Sequence, residues 1–210
     1  MRRACCFAAG FVLALCVLLT AVLVPALSTP RFERALISTV NQQALGVSVS
    51  DLSAFAEETM RFLRGEQPLW QPVIPREGIP DAFVQHMHEV RAWVCAAPWV
   101  IFGGAAVSVL LLLAGGRMRK PVFFGIGSAV ALLVCVLLWA VVDFHSLWMI
   151  VHRFFIPGGI FSASEPVMQL FPLGLFFQYV VPVAAWAAGG LAALFAGVWA
   201  VTRKPHPTAL

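Results

Sequence analysis

Charge is what this sequence has least of. Asp, Glu, Lys and Arg make up 11% of its 210 residues, against roughly 25% in an ordinary soluble domain. Hydrophobic residues make up 60%, and the mean hydropathy is +0.88. So few solvating groups exclude a soluble globular domain and point to an all-α integral membrane protein, one bundle rather than several domains. A net charge of +4 does not make it a nucleic-acid binder, because the basic residues are dispersed between bilayer-length apolar runs with no basic stripe interleaved with aromatics. No nucleic-acid partner is expected. Cysteine is also sparse. Cys5, Cys6, Cys16 and Cys135 fall at or within the apolar runs and only Cys95 lies near an aqueous boundary, so no disulfide framework or metal knuckle is implied. The chain has no G-x-S-x-G elbow and no H-E-x-x-H helix, which removes support for a serine hydrolase or a zincin. Mid-span charges and internal repeats, usual in a transporter, are missing as well.

What is present is four apolar runs, each near the roughly 20 residues a bilayer core demands. They cover about 5–27, 97–115, 121–142 and 176–201. The first follows Arg2 and Arg3. Its length favours a retained helix over a cleaved signal peptide, whose apolar core usually runs ~7–15 residues. Seven of the fourteen Lys and Arg sit at the N-terminus, between the second and third runs, and at the C-terminus, and none of the ten acids does. The positive-inside rule therefore places both termini in the cytoplasm and two loops, about 28–96 and 143–175, outside the plasma membrane.

The first outer segment is polar and holds eight of the ten acids. Ser50 or Asp51 can cap a helix running to about Arg64, with Gly65 as its stop; Leu52, Phe55, Ala56, Thr59, Phe62 and Leu63 recur at helical spacing. The stretch QPLWQPVIPREGIP then reads as extended loop, and a second helix starts near Asp81. On its projection Phe83, Met87, Val90 and Val94 form the apolar stripe, with His86 at its edge beside Trp93 and Glu89 one step further round. His88 faces the other way. Two histidines two residues apart on a helix do not share a metal easily, so no metal site is expected. The plain reading of each is a surface or interfacial residue.

The second outer segment, DFHSLWMIVHRFFIPGGIFSASEPVMQLFPLGLFF, is too apolar for an ordinary soluble loop. Pro157, Gly158, Gly159, Pro166 and Pro172 keep it from being one helix. Ionisable groups in such surroundings are candidates for function. His145, His152, Arg153 and Glu165 are the ones this stretch offers. His86 and His152 fall on the same side of the membrane, where a neutral histidine can take a proton and return it near neutral pH. Arg153 could hold a phosphate or a developing oxyanion, or simply snorkel to the interface. Cys95 projects away from the His86 edge, which disfavours a cysteine mechanism.

The order DLSAFAEETMRFLRG, then HMHEVR, then VHRFF followed by IFSASEPVMQLFPLGLFF, resembles the four-helix bacterial membrane proteins of the lipoprotein intramolecular transacylase family. The likeness spans roughly residues 30 to 180. It implies that His86 and His152 are the family's two histidines; Arg153, Glu89 and Glu165 are the candidates for binding substrate. Glu89 and Arg91 stand where the family favours Asp and Lys, Val151 replaces a Phe, and Leu173 occupies the place of a Glu. The implied reaction moves the sn-2 acyl chain of a diacylglyceryl-modified lipoprotein to its N-terminal cysteine amine, at the membrane–water interface. Lipoprotein and membrane lipid would be the partners. Amine and ester belong to one molecule, so positioning supplies much of the rate and no cofactor is needed. A different class of function, a membrane scaffold or accessory subunit without catalysis, is favoured by the carboxylate missing at Leu173.

Overall fold

The computed structural model describes residues 1–72, 79–116, 118–156, 161 and 165–202. Glu77, Arg117, Pro157, Gly158, Gly159 and the basic C-terminal segment 203–210 lie outside the described residues. All regular structure among the described residues is helical: α1 (Arg2–Ala26), α2 (Thr29–Thr39), α3 (Gln42–Leu45), α4 (Val49–Leu63), α5 (Asp81–Gly115), α6 (Arg119–Val142), α7 (Phe144–Phe155), α8 (Pro166–Leu170), α9 (Leu173–Phe177) and α10 (Val180–Thr202). Helices α1, α5, α6 and α10 are long and apolar enough to cross a membrane. The protein is an all-α, multi-pass membrane protein with short helices in its two longer connections.

Helix α5 has 35 residues, about 52 Å at 1.5 Å per residue, against a bilayer core of about 30 Å. Its charged residues and histidines, Asp81, His86, His88, Glu89 and Arg91, all fall in its first three turns. The spanning part is therefore the apolar remainder after Arg91, and the first three turns belong to the connection before it. The last span starts at Val180 rather than near Phe176, because the chain makes the short helix α9 and a turn first.

The chain divides into two compact units. One comprises Met1–Val22, Trp99–Val136 and Ala184–Leu210, and its helices meet through small residues. A Cβ on Gly10 would run into the Val122 carbonyl, and one on Gly125 into the Phe7 carbonyl, so α1 and α6 approach backbone to backbone. This is how helices pack in lipid, where apolar burial between helices offers no net drive.

The other unit comprises Leu23–Pro98 and Leu137–Val183. Its core gathers Leu36, Phe55, Phe62, Trp70, Phe83 and Phe171. Two features differ from the sequence reading. Helix α4 starts at Val49 and is capped by Ser48, not by Ser50 or Asp51. Asp51 is the returning member of a capping box, its carboxylate accepting from the Ser48 N–H at 2.8 Å while the Ser48 Oγ accepts from the Asp51 N–H at 3.2 Å. And Trp70, in what reads as an extended loop, is 3% exposed and donates its indole N–H to Thr59 Oγ1 at 3.1 Å.

Candidate functional site

Helix α7 begins where Asp143 caps it, the carboxylate accepting from the Ser146 N–H at 2.9 Å. Phe144, Trp148 and His152 then recur every four residues and stack down one face, with ring centroids 6.0 Å and 4.3 Å apart. That face turns inward, while Ile150, Val151, Phe154 and Phe155 are exposed on the others. Trp148 is held in turn by the ring of Phe176, 4.2 Å away. The last carbonyl of the helix, that of Phe155, accepts from the Trp93 indole N–H at 3.0 Å, so a side chain of α5 ties down the end of α7 that carries His152.

Buried His152 and buried His86 meet, with ring centroids 5.7 Å apart. Phe83 and Phe161 wall the His86 ring at 5.6 and 5.7 Å. The two imidazoles differ in one respect. Nδ1 of His152 lies 3.0 Å from the Trp148 carbonyl, which can only accept, so Nδ1 carries the proton and Nε2 the lone pair. Nδ1 of His86 is enclosed with no hydrogen-bond partner among the described residues.

Burial pushes the His86 imidazole down to about 4, and the charge on a protonated His152 would push it the same way. Burial also lowers His152, opposed by its bond to the Trp148 carbonyl. Both rings are thus neutral at pH 7.

The remaining sequence candidates are placed differently. Glu89, one turn beyond His86, is half-buried, and its Oε2 is enclosed without a hydrogen-bond partner among the described residues. Arg153 follows His152 but is exposed, and His145 is exposed as well. Glu165 is half-buried as the N-cap residue of α8, without a side-chain cap bond. His88 turns away from the pair and packs edge-on against Phe62 at 5.0 Å. Leu173 opens α9, half-buried. Trp148 and Trp93, which set the His152 ring, are absent from the sequence candidates: backbone bonds to i−4 and across helices leave no mark in a one-dimensional pattern.

The model of the family described as lipoprotein intramolecular transacylase Lit matches residues 7–176. The chain belongs to this family. Its fold is similar to a solved structure of the membrane integral lipoprotein intramolecular transacylase Lit from Bacillus cereus, at 10% identity over 96% of this chain and 95% of that one, with a TM-score of 0.73. A structure of that Bacillus cereus protein with a histidine-to-arginine mutation matches at 12% identity over 97% and 94%, with a TM-score of 0.68. At such identities the likeness to these transacylase structures is one of fold. No curated protein matches the chain.

Proposed function

We propose that the protein moves the sn-2 acyl chain of a diacylglyceryl-modified lipoprotein to the α-amino group of its N-terminal cysteine, working on the outer face of the plasma membrane with both termini in the cytoplasm. The observation that carries this reading is the pair of buried, neutral histidines 5.7 Å apart in a member of the transacylase family. His152 is the base. The Nδ1–H bond to the Trp148 carbonyl leaves Nε2 to take a proton from the amine as its C–N bond to the ester carbonyl carbon forms. That proton goes to the departing glyceryl oxygen as the C–O bond breaks, so the proton taken is the proton returned. The product is an amide and a lyso-glyceryl thioether.

His86 supports the oxyanion. An enclosed N–H without a partner is rarer than an enclosed acceptor, so the unmet Nδ1 of His86 holds the lone pair and Nε2 the proton, which serves as a donor. Glu89, with an enclosed carboxylate oxygen one turn from His86, is assigned to holding the substrate amine before it reacts. Exposed Arg153 is assigned to acidic oxygen groups at the lipid surface, and Glu165 to the substrate from the start of α8. Amine and ester reach the site already joined, which supports a reaction driven by orientation.

The test is mass spectrometry of N-terminal lipopeptides from a reporter lipoprotein in a host that makes the diacylglyceryl form and has no N-acyltransferase. The expected product is an isobaric lyso-form with one chain on nitrogen and one on glycerol, reduced by about 10²–10⁴-fold in His152→Ala. An unchanged diacylglyceryl lipopeptide beside folded, membrane-inserted protein would overturn the proposal and favour an accessory role, with Leu173 the residue to restore to Glu.

A further inference from the structure

Two half-buried polar side chains of the unit that carries the histidines take no part in this chemistry, and each has an enclosed atom without a partner among the described residues. Nε of Arg31, on α2, and the hydroxyl of Tyr179, between α9 and α10, are both buried at the atom and lack hydrogen-bond partners among the described residues. An enclosed polar group left unmet is costly, and more so when charged. Each such group calls for an explanation, and a bound group from outside the chain is one. Both sit in an ordered frame. Gln178 donates to Ser38 Oγ at 3.0 Å, the rings of Phe32 and Phe171 lie 6.2 Å apart, and Gly174 faces the Thr39 methyl. Arg31 and Ser38 are seven residues apart and share a face of α2, as Gln178 and Tyr179 are neighbours in the chain. The two groups also feel each other: burial pushes the Tyr179 hydroxyl up to about 12, and the Arg31 guanidinium opposes that rise.

Their position along the chain says what they can meet. Arg31 follows the end of α1 at Ala26 by five residues, and Tyr179 immediately precedes α10. Each stands where a membrane-spanning helix gives way to a connection, the level of lipid headgroups. Arg31 is half-buried there, with its Nε enclosed. A guanidinium presents paired donors that match a phosphate, and a phenol adds another.

We infer that Arg31 and Tyr179 form a phosphate-binding site separate from the histidine pair, placed to take the headgroup phosphate of a membrane phospholipid. The inference does not rest on the transacylase chemistry and would survive its failure. A phospholipid held there fastens α2 to the entry of α10 by a bridge that a neutral glyceride cannot make.

Tyr179 is the only tyrosine in the chain, so tyrosine labelled with ¹³C at Cζ gives a single resonance at the site. The full-length protein in a phosphate-free maltoside detergent is titrated separately with a short-chain phosphatidylglycerol, inorganic phosphate and a neutral diacylglycerol. The expected result is a saturable shift with phosphatidylglycerol, none with diacylglycerol, and at least tenfold weaker binding in Arg31→Gln, partly restored in Arg31→Lys. If inorganic phosphate alone reproduces the shift, the site takes the free ion as well as the headgroup. No shift with either phosphate compound, or an equal shift with diacylglycerol, would overturn the inference. The unsubstituted protein decides this, so a variant that fails to fold cannot rescue it.

Discussion

His152 is fixed by two contacts with separate effects: the Trp148 carbonyl selects its tautomer, and the stacked Trp148 ring holds its plane. Both histidines have folded-state values below the ordinary 6.5, so the unfolded chain binds more protons than the folded one on the acid side of that value. The sign follows. Stability is full above about pH 6.5 and is lost as pH falls toward the folded value, which for His86 is about 4. We expect thermal stability in detergent to drop between pH 7 and pH 5, and to drop less in His86→Gln. We expect the acid limb of kcat/KM for acyl transfer to lie below pH 6.5, because the base stays neutral into mild acid. An acid limb well above 6.5 that does not move with the substrate's own α-amine, ordinarily near about 8, would show that another group is the base. The sequence carried part of this site plainly. His86 sits at the edge of an apolar stripe and His152 inside an apolar run, and each of those positions is buried in the fold. What it could not carry is the direction of each ring nitrogen, set by a backbone carbonyl in one case and by enclosure in the other. Arg31 and Tyr179 escaped for a similar reason. Each looks like an ordinary interfacial residue until the fold encloses its polar atom.

The helices that present the site depend on contacts with measurable effects. Trp93→Phe keeps most of the ring contact with Phe155 at 5.6 Å but loses the indole bond to its carbonyl. One such bond is worth about 0.5–1.5 kcal/mol. We expect kcat to fall by about 2–10-fold with KM nearly unchanged, since the loosened part is the end of α7 that carries His152, the proposed base. A change confined to KM would argue that Trp93 touches substrate instead. Ser48→Ala removes one half of the capping box and should lower stability by about 1 kcal/mol in chemical or thermal unfolding without moving kcat. The sequence showed α4 through its six-residue apolar stripe and α5 through its start at Asp81. Helix α2 went unseen. Only Phe32, Ala35 and Leu36 of it are buried, too few to stand out as a period among charged residues, although Pro30 in its first turn is an ordinary helix-start signal. The order within α7 was hidden by the prolines and glycines that follow it, which break the segment as a whole but lie beyond Phe155.

Taken as a whole, the molecule invites a test of side and a test of packing. In a variant whose other cysteines are replaced, Gln43→Cys places a thiol at an exposed position of the first long connection. A membrane-impermeant maleimide should label it in intact cells. Labelling only after lysis would reverse the proposed orientation. Gly125→Ala sets a methyl against the Phe7 carbonyl, and α1 and α6 must separate to admit it. We expect a loss of at least about 1–3 kcal/mol in thermal stability. The four spans were legible because bilayer thickness imposes a length on the sequence, while the glycine contacts between them depend on which faces meet.

The division of the chain has a consequence for how the protein is made. Every segment of the unit that carries the histidines has been synthesised by Val183, whereas the unit with the close glycine contacts still lacks its third segment, which begins at Ala184. Chains emerge N-terminus first and compact units fold as their segments become available. The histidine-bearing unit is therefore complete in sequence before most of α10 has been made, and a chain ending at Val183 would already hold both histidines and the helices that carry them.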